Sequence, residues 1–81
     1  GFELFAKDLG PISTLVADAS GLYFNDVDAR NILRCAGADC AKGPEVLAKR
    51  DGVPGDFALG AQLFFVEKSV QNGTRILRIA K

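Results

Sequence analysis

Apolar residues recur at helical spacing early in the chain. Ile12, Leu15, Val16 and Ala19 fall at i, i+3, i+4 and i+7, one stripe of a helix. Asp8 stands where a cap belongs, Pro11 suits a first turn and Gly21 a stop, so residues 8–21 predict a helix. Phe2 to Lys7, "FELFAK", reads as a strand ahead of it, and Leu22 to Phe24 as a second strand behind it. Ala29, Ile32, Leu33 and Ala36 then repeat the helical spacing. With Asn25 or Asp26 as cap, and Asp28 beside the positive end of the dipole, residues 25–37 predict a second helix.

The pattern changes after Lys42. Gly43, Pro44, Gly52, Pro54 and Gly55 break the chain, leaving room for one short helix from Pro44 to Lys49 and then a loop. Gln62 to Lys68 and Thr74 to Lys81 read as strands, and Asn72-Gly73 between them is a tight-turn signal, so they predict an antiparallel hairpin. The expected fold is α+β. A single domain over residues 1–81 holds one sheet of about four strands, ending in that hairpin, with two or three helices packed on it.

The hairpin strands are apolar on both faces near their middles: Leu63, Phe64, Phe65 and Val66, then Ile76, Leu77 and Ile79. Two short helical stripes cannot cover both faces. Phe64, Val66 and Ile76, with Arg78 beside them, are therefore candidate partner-binding residues.

Size sharpens this picture. A chain of 81 residues buries only about 60% of its unfolded surface, and domains so small commonly add a disulfide, a metal or a partner. With 48% hydrophobic and 25% charged residues the composition is that of a folded globule. No apolar run approaches the roughly 20 residues of a transmembrane helix. Neither a signal peptide nor an initiating Met is present, so Gly1 reads as a trimmed or mature N-terminus.

The net charge is zero, but residues 1–28 are acidic and the tail carries Lys68, Arg75, Arg78 and Lys81 with no acid after Glu67. Four cations without a binding motif read as a solvated strand face rather than a nucleic-acid footprint. Salt-dependent retention on heparin would detect the alternative.

Both cysteines lie in "LRCAGADCAKG". Two cysteines and no histidine cannot close a four-ligand zinc site. The Cys-x-x-x-x-Cys spacing is not the Cys-x-x-Cys of a redox centre, and a nucleophilic Cys lacks its His base. A Cys35–Cys40 disulfide is the expectation, against two reduced thiols as in a cytosolic protein. Residues five apart on a helix are about 7.5 Å apart along its axis, so the second helix must end between them, at Gly37. A disulfide implies a periplasmic or secreted protein.

Other candidate chemistry is thin. "NDVDARN" resembles the start of a calcium loop, but Arg30 and Asn31 occupy a ligand position and the required glycine. Asp26 and Asp28 could be a catalytic carboxylate pair, yet acids at a helix start more often face the dipole. Gly52, Gly55 and Gly60 lack phosphate-loop spacing. Lys49-Arg50 is a dibasic pair, and Asn72-Gly73-Thr74 a glycosylation sequon whose turn chemistry already explains it. Without a His, a convergent acid pair or a cofactor loop, neither catalysis nor a cofactor is expected.

One family resemblance covers about half the chain. Asp8, Leu9, Ile12, Leu15, Ser20, Gly21 and Leu22 match the "D-L-x-x-I/V-x-x-L" helix and "S-G-L" turn of the small periplasmic N-terminal domains of outer-membrane secretins. The short signalling domain of TonB-dependent transducers is similar, and Ile76 to Lys81, "ILRIAK", resembles the family's last strand. After Phe24 the chain departs from the family, which continues with a third strand before a longer helix. The resemblance implies a non-catalytic protein-binding module of an envelope assembly, acting through sheet edges and helix faces. Its partner would be another protein or a second copy. The alternative expectation is a secreted effector or inhibitor from a pathogen that binds a host or competitor protein.

Overall fold

The computed structural model describes residues 1–36, 40 and 42–81. Among these there is no helix, so the expected α+β fold is replaced by an all-β one. Seven strands follow in order: β1 (Leu15–Asp18), β2 (Gly21–Asp26), β3 (Asn31–Cys35), β4 (Glu45–Lys49), β5 (Val53–Leu59), β6 (Leu63–Ser69) and β7 (Gly73–Ile79). They form two antiparallel sheets, β1-β2-β3-β4 and β5-β6-β7, each strand paired to its neighbour in sequence.

Each predicted helix became a strand for an identifiable reason. The first stripe collapses to β1, where only Val16 packs toward the core while Leu15 and Ile12 stay exposed. The second becomes β3, whose Ile32 and Leu33 are both buried but on opposite faces. Neighbouring apolar residues then mimic an i, i+3, i+4 pattern because both faces are covered. The third becomes β4. The stop expected at Gly37 lies outside the described residues. Asp26 and Asp28 sit at a hairpin turn rather than a helix start: Ala29 N donates to Asp26 Oδ1 at 2.9 Å, and Arg30 takes a left-handed φ of 59°. Phe2 to Lys7 is not a strand, and Phe2 and Leu4 are exposed.

Two apolar clusters hold the chain. The first lies between the sheets and joins Tyr23 and Ile32 to Phe57, Leu63 and Phe65, with Phe57 and Phe65 edge-to-face at 6.1 Å. The second lies on the other face of the four-stranded sheet, where Phe24, Leu33, Cys35 and Cys40 meet Ala6 and Leu9 of the irregular N-terminal segment. Backbone bonds fix that segment: Cys40 N to Phe5 O at 3.3 Å and Val27 N to Pro11 O at 2.8 Å. The first sheet is thus covered on both faces.

Fully buried Asn25 joins the layers. Its Oδ1 accepts from Ser13 N (2.9 Å) and Thr14 N (3.1 Å), and its Nδ2 donates to Ser13 Oγ (2.8 Å) and to Pro54 O of β5 (2.7 Å). All four hydrogen-bonding positions of the amide are used, which removes the penalty of burying it.

Leu15, whose place on the apolar stripe of the predicted first helix implied a buried core position, is corrected accordingly. It is 56% exposed, so Leu15→Ala shifts stability by no more than about 0.5 kcal/mol. Ile32→Ala, in the inter-sheet core, costs about 2–5 kcal/mol. Thermal melts of the two variants check the pair, and equal losses would overturn this assignment of faces.

The Cys35–Cys40 disulfide is formed, with the two Cα atoms 5.5 Å apart, and it packs inside the second cluster. Closing so short a ring contributes about 2 kcal/mol in the chain-entropy model. Unfolded protein takes up alkylating reagent on both cysteines only after reduction, a difference read directly by intact mass.

Candidate protein-docking surface

The predicted hairpin is present, and it builds the candidate surface. Ser69 pairs with Gly73 across the intervening Val70, Gln71 and Asn72. Gly73 takes φ 68°, the left-handed residue that closes a three-residue connection, so the Asn72-Gly73 signal marked the turn but not its length. From there the register is regular: Lys68 faces Thr74, Glu67 faces Arg75, Val66 faces Ile76, Phe65 faces Leu77, Phe64 faces Arg78 and Leu63 faces Ile79.

Alternation sorts these pairs into two faces. Leu63, Phe65 and Glu67 are buried against the first sheet. Phe64, Val66 and Lys68, with Thr74, Ile76 and Arg78, form the outward face. All four partner-binding candidates therefore share one face as two directly opposed pairs, Phe64–Arg78 and Val66–Ile76. Phe64 is 38% and Ile76 76% exposed, Arg78 is exposed and Val66 half-buried. On β5, Ala58 flanks Phe64 and Gly55 flanks Val66, extending the surface with small residues. β7 forms one end of its sheet, and among the described residues no strand pairs with its far side.

The four tail cations, read from the sequence as one solvated strand face, divide into two pairs. Arg75 turns inward and donates to Glu67 Oε2 at 2.8 Å, while Lys81 reaches Asp18 Oδ2 at 2.6 Å. Lys68 and Arg78 remain on the outward face, and no ion pair among the described residues includes either.

Glu67 is the centre of a buried charge cluster that sequence reasoning missed. It is 1% exposed, and it also accepts two bonds from Arg50, Nε to Oε1 at 2.6 Å and Nη2 to Oε2 at 3.2 Å. The Arg50 hydrogen bonds, reinforced by Arg75, hold its carboxyl below the usual range against the opposing effect of burial. The signal available was a lone acid at an inward position of an otherwise apolar strand. Gly52 is required beside it, because a Cβ there would lie 2.8 Å from both Glu67 Cγ and Lys68 O.

A second polar cluster joins the sheets near Tyr23. Ser20 Oγ lies 2.6 Å from Asp18 Oδ1 and 2.6 Å from Tyr23 Oη. The carboxylate can only accept, so Ser20 donates to Asp18 and Tyr23 donates to Ser20. Lys81, then Ser20, lower the Asp18 carboxyl to about 2. The lowered carboxyl and the Lys81 pair keep Asp18 a charged acceptor in this cluster. Arg34 lies over the Tyr23 ring, 5.9 Å from its centroid, and donates to Ser20 O at 2.9 Å, bracing the strand end.

Among the described residues no group of three or more Cys, Asp or Glu side chains could hold a metal ion, and no helix is long and apolar enough to cross a membrane. Comparison with protein-family models, with curated proteins and with solved structures finds no match.

Proposed function

We propose that this domain is a non-catalytic protein-binding module that engages its partner through the outward face of the β5-β6-β7 sheet. One observation carries the reading: the apolar residues Phe64, Val66 and Ile76 lie together on the face turned away from the first sheet, with Lys68 and Arg78, in no ion pair among the described residues, at its border. An exposed apolar patch with a polar rim is a usual mark of a contact site. The helix-face half of the expected contact is dropped, since the described residues include no helix. The disulfide supports a periplasmic or secreted setting.

The test substitutes Asp at both Phe64 and Ile76. The double variant stays folded with a modest drop in melting temperature, since Ile76 is 76% and Phe64 38% exposed. It loses the proteins that the parent captures from its native milieu. An unchanged set of captured proteins would place the contact on another surface.

A further inference from the structure

We propose that the partner segment is an extended acidic peptide of another protein that pairs with β7 as the next strand of the sheet. This rests on the docking face proposed above and adds the chemistry of its occupant.

The edge has the dimensions of a strand-addition site. β7 runs seven residues, Gly73–Ile79, paired on one side to β6 over its full length. On the other side, every second residue turns its N–H and C=O outward with no strand to receive them. Strand addition satisfies such groups with main-chain bonds, while alternate side chains supply selectivity.

Charge selects the occupant. On the outward face, Arg78 stands opposite Phe64, the acid of β6 (Glu67) faces inward, and no ion pair among the described residues includes Arg78. On the inward face, Arg75 of β7 bonds Glu67 Oε2 but stays 41% exposed, and it shares that carboxylate with Arg50, which reaches it from ahead of β5. An added strand meets Arg78 and Arg75 on its opposite faces, and directly opposed side chains on neighbouring strands lie about 5 Å apart. A carboxylate opposite each arginine is favourable there. An apolar side chain fits opposite Ile76, which is 76% exposed, and Leu77, which is half-buried. The preferred peptide thus alternates in pairs: acid, apolar, apolar, acid. A second copy of this chain is the wrong occupant, because pairing β7 with itself puts four arginines on adjacent strands with no acid among them.

The test uses a fluorescein-labelled peptide, glutamate–valine–valine–glutamate repeated twice, against the intact disulfide-bonded domain. Fluorescence anisotropy detects binding, and amide resonances of residues 73–79 shift. Arg78→Glu weakens it about tenfold, since one attractive cross-strand pair becomes a repulsive one. Methylating alternate backbone nitrogens of the peptide abolishes binding in one of the two phases only, which a contact through side chains alone would not do. The lysine-for-glutamate peptide does not bind.

Absence of binding, equal loss in both methylation phases, or shifts confined to other strands would overturn the proposal. So would concentration-dependent protection of the β7 amides without peptide, which would identify a second copy. These outcomes are separable from the Phe64 and Ile76 double-variant capture experiment, which reports on the face whatever its occupant.

Discussion

Asn25→Ala lowers the melting temperature by about 15 °C or more. The substitution leaves Ser13 N, Thr14 N and Pro54 O without their partner at the junction of the two sheets. Unsatisfied buried groups cost about 1–3 kcal/mol each, and solvent reaches the Ser13 end, so the total is about 3–5 kcal/mol. One kcal/mol moves the midpoint of so small a domain by about 4–8 °C. Asn25→Leu restores the volume and not the bonds, so it loses a comparable amount. If the leucine variant melted like the parent, the amide network would be incidental and packing alone would hold the layers.

Glu67→Ala is the second large loss, about 3 kcal/mol. That is the low end for breaking a buried ion pair, because Arg50 and Arg75 are each about a third or more exposed and can turn to water. The pH dependence separates charge from packing. The Glu67 carboxyl is lower in the folded state than its unfolded value, about 4.3. Its contribution is complete above that value and is lost as pH falls through the folded one. Asp18, lowered from 3.8 to about 2, adds to the same acid limb. Glu67→Gln therefore shows a shallower decline of stability below about pH 4.3 than the parent, and the gap between the two narrows as acid is added. Parallel curves in denaturant titrations across that range would remove Glu67 from the acid response.

What could be read from the chain followed the coverage of each strand. The β6–β7 hairpin was legible because turn chemistry at Asn72-Gly73 does not depend on burial. The shared face of Phe64, Val66, Ile76 and Arg78 was not legible in that way: a two-residue Asn72-Gly73 turn would set Val66 opposite Ile79, whereas the three-residue connection sets it opposite Ile76. Leu22 to Phe24 was also recognised, within β2. The strands of the first sheet were not. With the second sheet on one face and the N-terminal segment on the other, β2 and β3 lose the apolar–polar alternation that marks a strand. Their short apolar runs then fit a helical stripe equally well. The overlooked cue was punctuation: Gly43, Gly52, Gly60 and Gly73 recur about every ten residues, the spacing of short strands rather than of helices. Asn25 and Glu67 could not be found by pattern, since their importance lies in partners 11 to 29 and 8 to 17 residues away.

The strand order also determines how the chain finds its fold. Every pairing joins consecutive strands, so each sheet is a meander that closes one short loop at a time. No strand waits for a distant partner, and the loop-closure entropy that slows Greek-key proteins is largely absent. What remains is to join the two meanders, and of the Asn25 amide bonds only the one to Pro54 O crosses from the first sheet to the second. The bonds to Ser13 and Thr14 lie within the first sheet's own half of the chain.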